Sequence, residues 1–240
     1  MARALLVRSI PLSTTTRNAW KAAGGTFARR GRTREQIIGI ADSLGVPIIN
    51  LGNSSINIYE AWNNAPNVRC LLTPKESRVA LGWLMPFGSW LGEGYYWLKG
   101  PGRAGNNKER TLVANREEFL ALKARANWID GDIQRDIVGT EYRVITVAEK
   151  IVQVSKRVDT GSQREYRWVG VHNAPPQVKD TAREAANVLH GQRNIVGWDI
   201  MLGGDQDDLA YVLEGNSCPG VNEATACRIL DAVEGIGYEG

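Results

Sequence analysis

The sequence predicts an α/β protein in two parts, a small N-terminal α/β unit over 1–73 and a larger α+β region over 74–240. Three observations predict it. The first 70 or so residues run strand, helix, strand, the order of a parallel sheet. Near residue 100 an aromatic strand opens into a loop rich in glycine. From Gly139 onward alternating apolar and polar runs are joined by short turns, with two helical stretches among them.

Taken in order, "ALLVRSI" (4–10) is strand-like, and "TREQIIGIADSLG" (33–45) is a helix opened by a capping box, Thr33 to Gln36, and stopped at Gly45. "VPIINLG" (46–52) and "VRCLL" (68–72) are short buried strands, and "PKESRVALGWL" (74–84) is a helix leading out of the unit. "GYYWLKGPGRAGNN" (94–107), the helical "NREEFLALKARAN" (115–127) and the strand "DIQRDIV" (132–138) make a compact lid over about 94–138. The C-terminal part, about 139–240, begins with "EYRVITVAEKIVQVSKRV" (141–158), a β-hairpin turning at Ala148 to Lys150. A long loop with Trp168 and His172 is expected next, then a helix over 179–190. The strands "NIVGWDIML" and "LAYVLEGN" follow, joined by "GGDQDD", and a last helix covers about 222–234.

Composition narrows the class. With 43% hydrophobic and 23% charged residues over 240 positions, the chain can bury a full core, and disorder is not expected. No run approaches the roughly 18 to 20 apolar residues of a membrane span, and "MARALLVRSIPL" has too short an apolar core for a secretory signal, so a cytoplasmic protein without a membrane partner is expected. Cys70, Cys218 and Cys227 are odd in number and contain no C-x-x-C pair, which indicates neither a disulfide framework nor a zinc site. Cys218 as a nucleophile would need an imidazole base, and neither His172 nor His190 stands in a triad context. Charge is lopsided: Met1 to Arg34 holds eight basic residues and no acidic one. "FARRGRTR" is either a solvated loop or a surface that recruits phosphate or carboxylate, nucleic acid included.

The residues that carry chemistry begin with "YVLEGNSCPG" (211–220). Strand side chains alternate, so Glu214 and Asn216 share one face. Two oxygen donors side by side suit a hard cation, above all Mg2+; the bland alternative is a strand end with a solvated glutamate and a turn-opening asparagine. If "VGWDIML" pairs with "YVLEGN" across the acidic turn, Asp199 joins them as a third oxygen ligand. Upstream, Lys99 at a strand end followed by Gly100, Gly102 and Gly105 has the makings of an anion site, with backbone N–H groups and an ammonium to hold phosphates.

The order "YYWLKGPGRAG", "IQRDIVGTEYRV", "GWDIML" and "YVLEGNSCPG" resembles the ATP-grasp fold over roughly residues 74 to 235. The resemblance implies two α+β subdomains clasping ATP, preceded by a small α/β unit. It implies ATP and Mg2+ as cofactors, with Mn2+ as a substitute. Lys99 would contact the α- and β-phosphates, the loop through Gly102 and Gly105 would close over them, and Lys75 would be a second phosphate lysine. Gln134, Asp136 and Ile137 would form the adenine hinge, Glu141 would bind the ribose hydroxyls, and Asp199, Glu214 and Asn216 would hold the metal. The chain departs from the pattern at bulky Arg103 in the glycine loop, at "QRD" in the hinge, and at Gly197 and Trp198, where some members carry an arginine just before the metal-binding Asp.

The resemblance implies a carboxylate-amine ligase that works through an acylphosphate. Two anions must approach in such a reaction, so cationic side chains are needed to offset their repulsion. Arg143, Arg157 and Arg167 are the candidates, Arg143 first because it shares a strand face with Glu141. The expected substrates are a carboxylate and an amine, from an amino acid, a peptide or a modified nucleobase, with the basic N-terminal unit favouring an acidic or phosphate-bearing partner. Relatives of this kind are often oligomers, so a homodimer fits. The rival readings are a nucleotide-gated binding module without ligase chemistry and a kinase-like enzyme that stops at phosphoryl transfer.

Overall fold

The structure is a computed structural model and describes residues 2–7, 12–29, 31–50, 94–99, 108–113, 117–118, 121, 132–135, 138–160, 163–187, 195–203, 209–216 and 219–235. Two compact units divide the chain, one made of Met1–Cys70 with Gly139–Gly240, the other of Leu71–Val138.

In the first unit a three-stranded parallel sheet has the order β2-β1-β3, with β1 Ala4–Leu6, β2 Gly25–Phe27 and β3 Ile48–Ile49. Helix α2, Arg34–Leu44, is built as its sequence dictates: Thr33 and Gln36 close a reciprocal capping box, and Gly45 ends it at φ 62°, a left-handed turn that glycine adopts without a Cβ clash. Helix α1, Thr14–Ala22, and strand β2 were not expected. Three threonines at the start of α1 weaken its intrinsic propensity, and burial of Ala19 and Trp20 overrides it. Ser13 caps this helix by accepting from the Thr16 amide at 3.1 Å.

The second sheet of this unit has five antiparallel strands in the order β11-β10-β7-β8-β9. They are β7 Gly139–Val147, β8 Lys150–Thr160, β9 Gln163–Trp168, β10 Ile195–Gly203 and β11 Ala210–Asn216. The 141–158 hairpin turns where the sequence placed it. The expected long loop is corrected: residues 163–168 form β9, paired along its length with β8. One face of the sheet is covered by α3, Pro176–Asn187, whose Val178, Ala182 and Ala185 recur at helical spacing and are fully buried. The small side chains let this helix lie close over Val144, Val154, Ile200 and Trp198, all fully buried. The Trp198 indole N–H donates to the buried Thr146 hydroxyl at 2.9 Å.

On the opposite face, α4, Glu223–Gly235, covers the end of the sheet near the β7–β8 turn. Ile229 and Leu230 of α4 join Ile145, Val147 and Ile195 of the sheet, and Ala4, Leu6, Trp20 and Ile49 of the N-terminal unit, in one core cluster. Full burial of each aliphatic side chain there contributes about 1.5–3 kcal/mol. Two polar links reinforce the joint. Asn50, at φ 60°, accepts from the Ile195 amide at 2.7 Å, and Arg3 reaches both Glu234 and Asp231 at 2.6–2.7 Å.

The other unit contains a three-stranded antiparallel sheet of order β5-β4-β6, with β4 Gly94–Lys99, β5 Lys108–Val113 and β6 Asp132–Arg135. β4 stands where the sequence placed it, the strand expected over 132–138 is described as β6 only to Arg135 with Val138 outside it, and β5 was not expected. The strand 68–72, the helix 74–84 and almost all of the helix 115–127 lie outside the described residues. Among the described residues no helix is long and apolar enough to cross a membrane.

Candidate nucleotide and metal site

Three cross-strand rows stand on the sheet face away from α3. The central row crosses all five strands: Glu214 opposite Asp199, Asp199 opposite Arg143, Arg143 opposite Ser155, and Ser155 opposite Trp168. Directly opposed residues share a face, so acid, acid, base, hydroxyl and indole form one line. Toward one strand end, Met201 opposes Glu141 and Arg157 opposes Tyr166. Toward the other, Asn216 opposes Gly197, Gly197 opposes Ile145, and Ile145 opposes Gln153. Glu214, Asp199 and Asn216 thus come together on one face.

Asp199 is the electrostatic centre. Its carboxylate is 11% exposed and receives both ends of the Arg143 fork, Nε to Oδ1 at 2.7 Å and Nη2 to Oδ2 at 2.8 Å. Burial pushes the Asp199 carboxyl up and the nearby Glu141 and Glu214 add to that, while the Arg143 guanidinium pulls it back. Arg143 is therefore no free strand arginine. Its own guanidinium is held firmly protonated by Asp199 against its burial, and it lies 4.3 Å from the centre of the Tyr166 ring.

Glu141 is held from both sides. The Tyr166 hydroxyl donates to its Oε1 and Arg157 Nη1 donates to its Oε2, and the Arg157 Nε also reaches Asp159 at 3.0 Å. Burial, seconded by the bond to Glu141, pushes the Tyr166 phenol above its ordinary range, so it stays a donor. Arg167 does not join the group. It is the next residue after Tyr166, on the opposite face beside Lys156, where it is exposed and 3.9 Å from Glu165.

Gly197 explains one departure from the ATP-grasp pattern. A Cβ on Gly197 would come within 2.7 Å of the Pro219 Cβ, so Pro219 packs straight onto the β10 backbone and no side chain fits. An arginine at 197 is sterically excluded, and the guanidinium beside Asp199 comes from the neighbouring strand through Arg143.

Glu214, Asp199 and Asn216 offer only oxygen donors, the donor set of Mg2+. The fit carries a condition: both Asp199 oxygens already accept from Arg143, so a metal has to share them or displace the guanidinium. Among the described residues no cluster of three His, Cys, Asp or Glu could hold a metal, so the amide of Asn216 is needed to complete a set. Of the other residues expected at a nucleotide site, Lys99 ends β4 and Gln134 lies in β6. Lys75, Gly102, Gly105, Asp136 and Ile137 lie outside the described residues. Tyr166 and Trp168 were missed although the alternation of "EYRW", charge outward on one side and ring on the other, carried a strand signal.

No protein-family model matches the sequence, and no curated protein matches it. Solved structures do. The chain is similar to ATP-grasp ligase PsnB complexed with a phosphomimetic variant of minimal precursor, Mg and ADP, at 14% identity and a TM-score of 0.57, over 99% of this chain and 99% of that one. It is also similar to PsnB complexed with precursor peptide PsnA2 and AMPPNP, at 15% identity and a TM-score of 0.54, over 97% and 96% of the two chains. A third likeness is VanG D-Ala:D-Ser ligase from Enterococcus faecalis, at 15% identity and a TM-score of 0.50, over 82% of this chain and 67% of that one. The chain has the ATP-grasp fold that the sequence predicted.

Proposed function

We propose that the protein is an ATP-dependent ligase that joins a carboxylate to an amine and releases ADP. The row Glu214, Asp199, Arg143, with Asn216 beside it, carries this reading. In an ATP-grasp fold an acidic pair and an amide oxygen on adjacent strands are what MgATP requires, and no side-chain nucleophile is needed. Mg2+ would be held by Glu214, Asp199 and Asn216, and it would supply charge neutralisation at the phosphates. The solved neighbours bound to ADP, AMPPNP and Mg support these cofactors.

The chain's own residues have separable tasks in this reading. Lys99, Lys75, Gly102 and Gly105 hold phosphate, Gln134, Asp136 and Ile137 hold adenine, and Glu141, fixed by Tyr166 and Arg157, meets the ribose. When a carboxylate oxygen attacks the γ-phosphate, an acylphosphate forms and ADP leaves; an amine then attacks the acyl carbon and phosphate leaves. Arg143 and Arg157 are the cations placed to offset the repulsion between carboxylate and phosphate. Arg167 drops out of this role because its side chain faces away.

The expected substrate is acidic, and the neighbour complexed with a precursor peptide supports a peptide. Arg29 and Arg32, before α2, and Arg34, at its start, are exposed, a surface suited to acidic groups. Arg29→Ala/Arg32→Ala is expected to raise KM for the acidic substrate several-fold and leave KM for ATP unchanged; an equal rise for ATP would refute that role.

ADP release by the purified protein with MgATP, against pooled amino acids and short acidic peptides, tests the reading, with Glu214→Ala as blank. Substrate-dependent ADP that disappears in the variant supports ligase chemistry. One observation favours a second reading, a nucleotide-gated binding module: Arg143 occupies both oxygens of Asp199. Tight Mg2+-dependent ATP binding without ADP from any substrate would select it.

A further inference from the structure

Arg228 of α4 differs from the other arginines of this face. Arg143 and Arg157 each hold a carboxylate, whereas Arg228 is fixed by neutral groups. Its Nη2 donates to Gln153 Oε1 at 3.1 Å and to Thr225 Oγ1 at 3.3 Å, and its buried Nε has no hydrogen-bond partner. Gln153 is itself oriented, its amide N–H donating to the buried Ser155 hydroxyl at 3.1 Å, while its amide oxygen accepts from both the Thr225 hydroxyl and Arg228. Ordering such a side chain costs rotamer entropy. No counter-charge among the described residues offsets it.

Beside it stands Trp168. The indole is 67% exposed, on the strand face of the Asp199 row, with the Arg228 guanidinium carbon 5.7 Å from the ring centre. An ordered, unneutralised guanidinium recognises a carboxylate, and an exposed indole next to it offers an apolar plane. These are two independent features of one patch.

We propose that Trp168 and Arg228 form an anchoring subsite for a carboxylate flanked by an apolar side chain, and that the substrate is an acidic peptide held there at a distance from its reacting group. Calling the peptide a substrate rests on the ligase reading; the binding site does not. The anchored acid cannot be the reacting one. Trp168 is three strands from Asp199, roughly 14 Å at strand spacing. An extended peptide covers that in about four residues. The peptide therefore carries one acid at Arg228 and another group, about four residues away, beside Asp199 and Glu214.

The test is a titration of the whole 15N-labelled protein without ATP or metal, reading the Trp168 indole N–H resonance, which is assigned by its absence in Trp168→Phe. The probe is N-acetyl-phenylalanine, one carboxylate beside one ring, with N-acetyl-phenylalaninamide as its uncharged counterpart. The acid is expected to shift the resonance saturably, the amide to bind at least about tenfold more weakly, and Arg228→Gln to weaken the acid by a similar factor. Glu214→Ala should leave the affinity for the acid within about twofold. Equal binding of acid and amide to the unaltered protein, absence of a saturable shift, or loss of the shift in Glu214→Ala each overturns the subsite. The acid and amide comparison needs no variant, so a folding defect in Arg228→Gln does not spoil it. If no substrate yields ADP and the titration still behaves as expected, the ligase reading falls and the carboxylate site stands.

Discussion

Asp199→Asn is expected to cut MgATP-dependent ADP release about 10³-fold, an effect of about 4 kcal/mol and within what a metal-bound carboxylate contributes. The substitution is chosen because Asp199 answers to two partners. Its carboxylate receives the fork of Arg143 and also faces Glu214 across the ladder. Asparagine keeps the volume and one oxygen for Arg143 but removes the charge a cation needs. It leaves a half-buried guanidinium less well matched, a stability loss of about 1–3 kcal/mol, visible as a lower denaturant midpoint. Adding Arg143→Gln should cost less than the sum of the two single changes, because the second change removes a charge the first left unpaired. Undiminished ADP release in Asp199→Asn would remove Asp199 from the proposed metal set.

Trp198→Ala carries the largest expected effect on stability, about 3–5 kcal/mol by chemical denaturation. Trp198 is the largest fully buried side chain on the α3 side of the sheet, and its removal opens a cavity under the helix. It also strips the Thr146 hydroxyl of its indole donor at 2.9 Å. Against a typical total of about 5–15 kcal/mol, such a loss is severe. Trp198→Phe separates the two contributions, since it keeps most of the volume and loses the hydrogen bond. A small effect from alanine would mean that α3 collapses into the space.

The same strand shows what could be read without coordinates. Trp198 and Asp199 alternate across the sheet, so the apolar face and the acidic face were legible in "GWDIML" once the strand was recognised. Capping chemistry at Thr33, Gln36 and Gly45 is encoded locally, and α2 followed from it. Helix α1 was not legible, because three threonines argue against a helix that tertiary burial of Trp20 then imposes. β9 was hidden by its charges: Glu165 and Arg167 on one side made a strand look like a polar loop, and Tyr166 and Trp168 went unassigned with it. Nor could spacing tell that Arg143 would clasp Asp199, since residues 56 apart meet only through strand order. The exclusion of a side chain at Gly197 likewise depends on where Pro219 lands.

The joint between Asn50 and Ile195, with Arg3 bound to Asp231 and Glu234, sets a timetable for synthesis. The hairpin of β7 and β8 can form as soon as it leaves the ribosome, but its apolar end awaits α4, the last described helix, and must meet β1 and β3, made long before it. Contacts of such separation form slowly, since loop closure precedes any stabilisation from packing. Until then Ile145, Val147 and Ile195 remain uncovered, a nascent state suited to chaperone capture and prone to self-association at high expression.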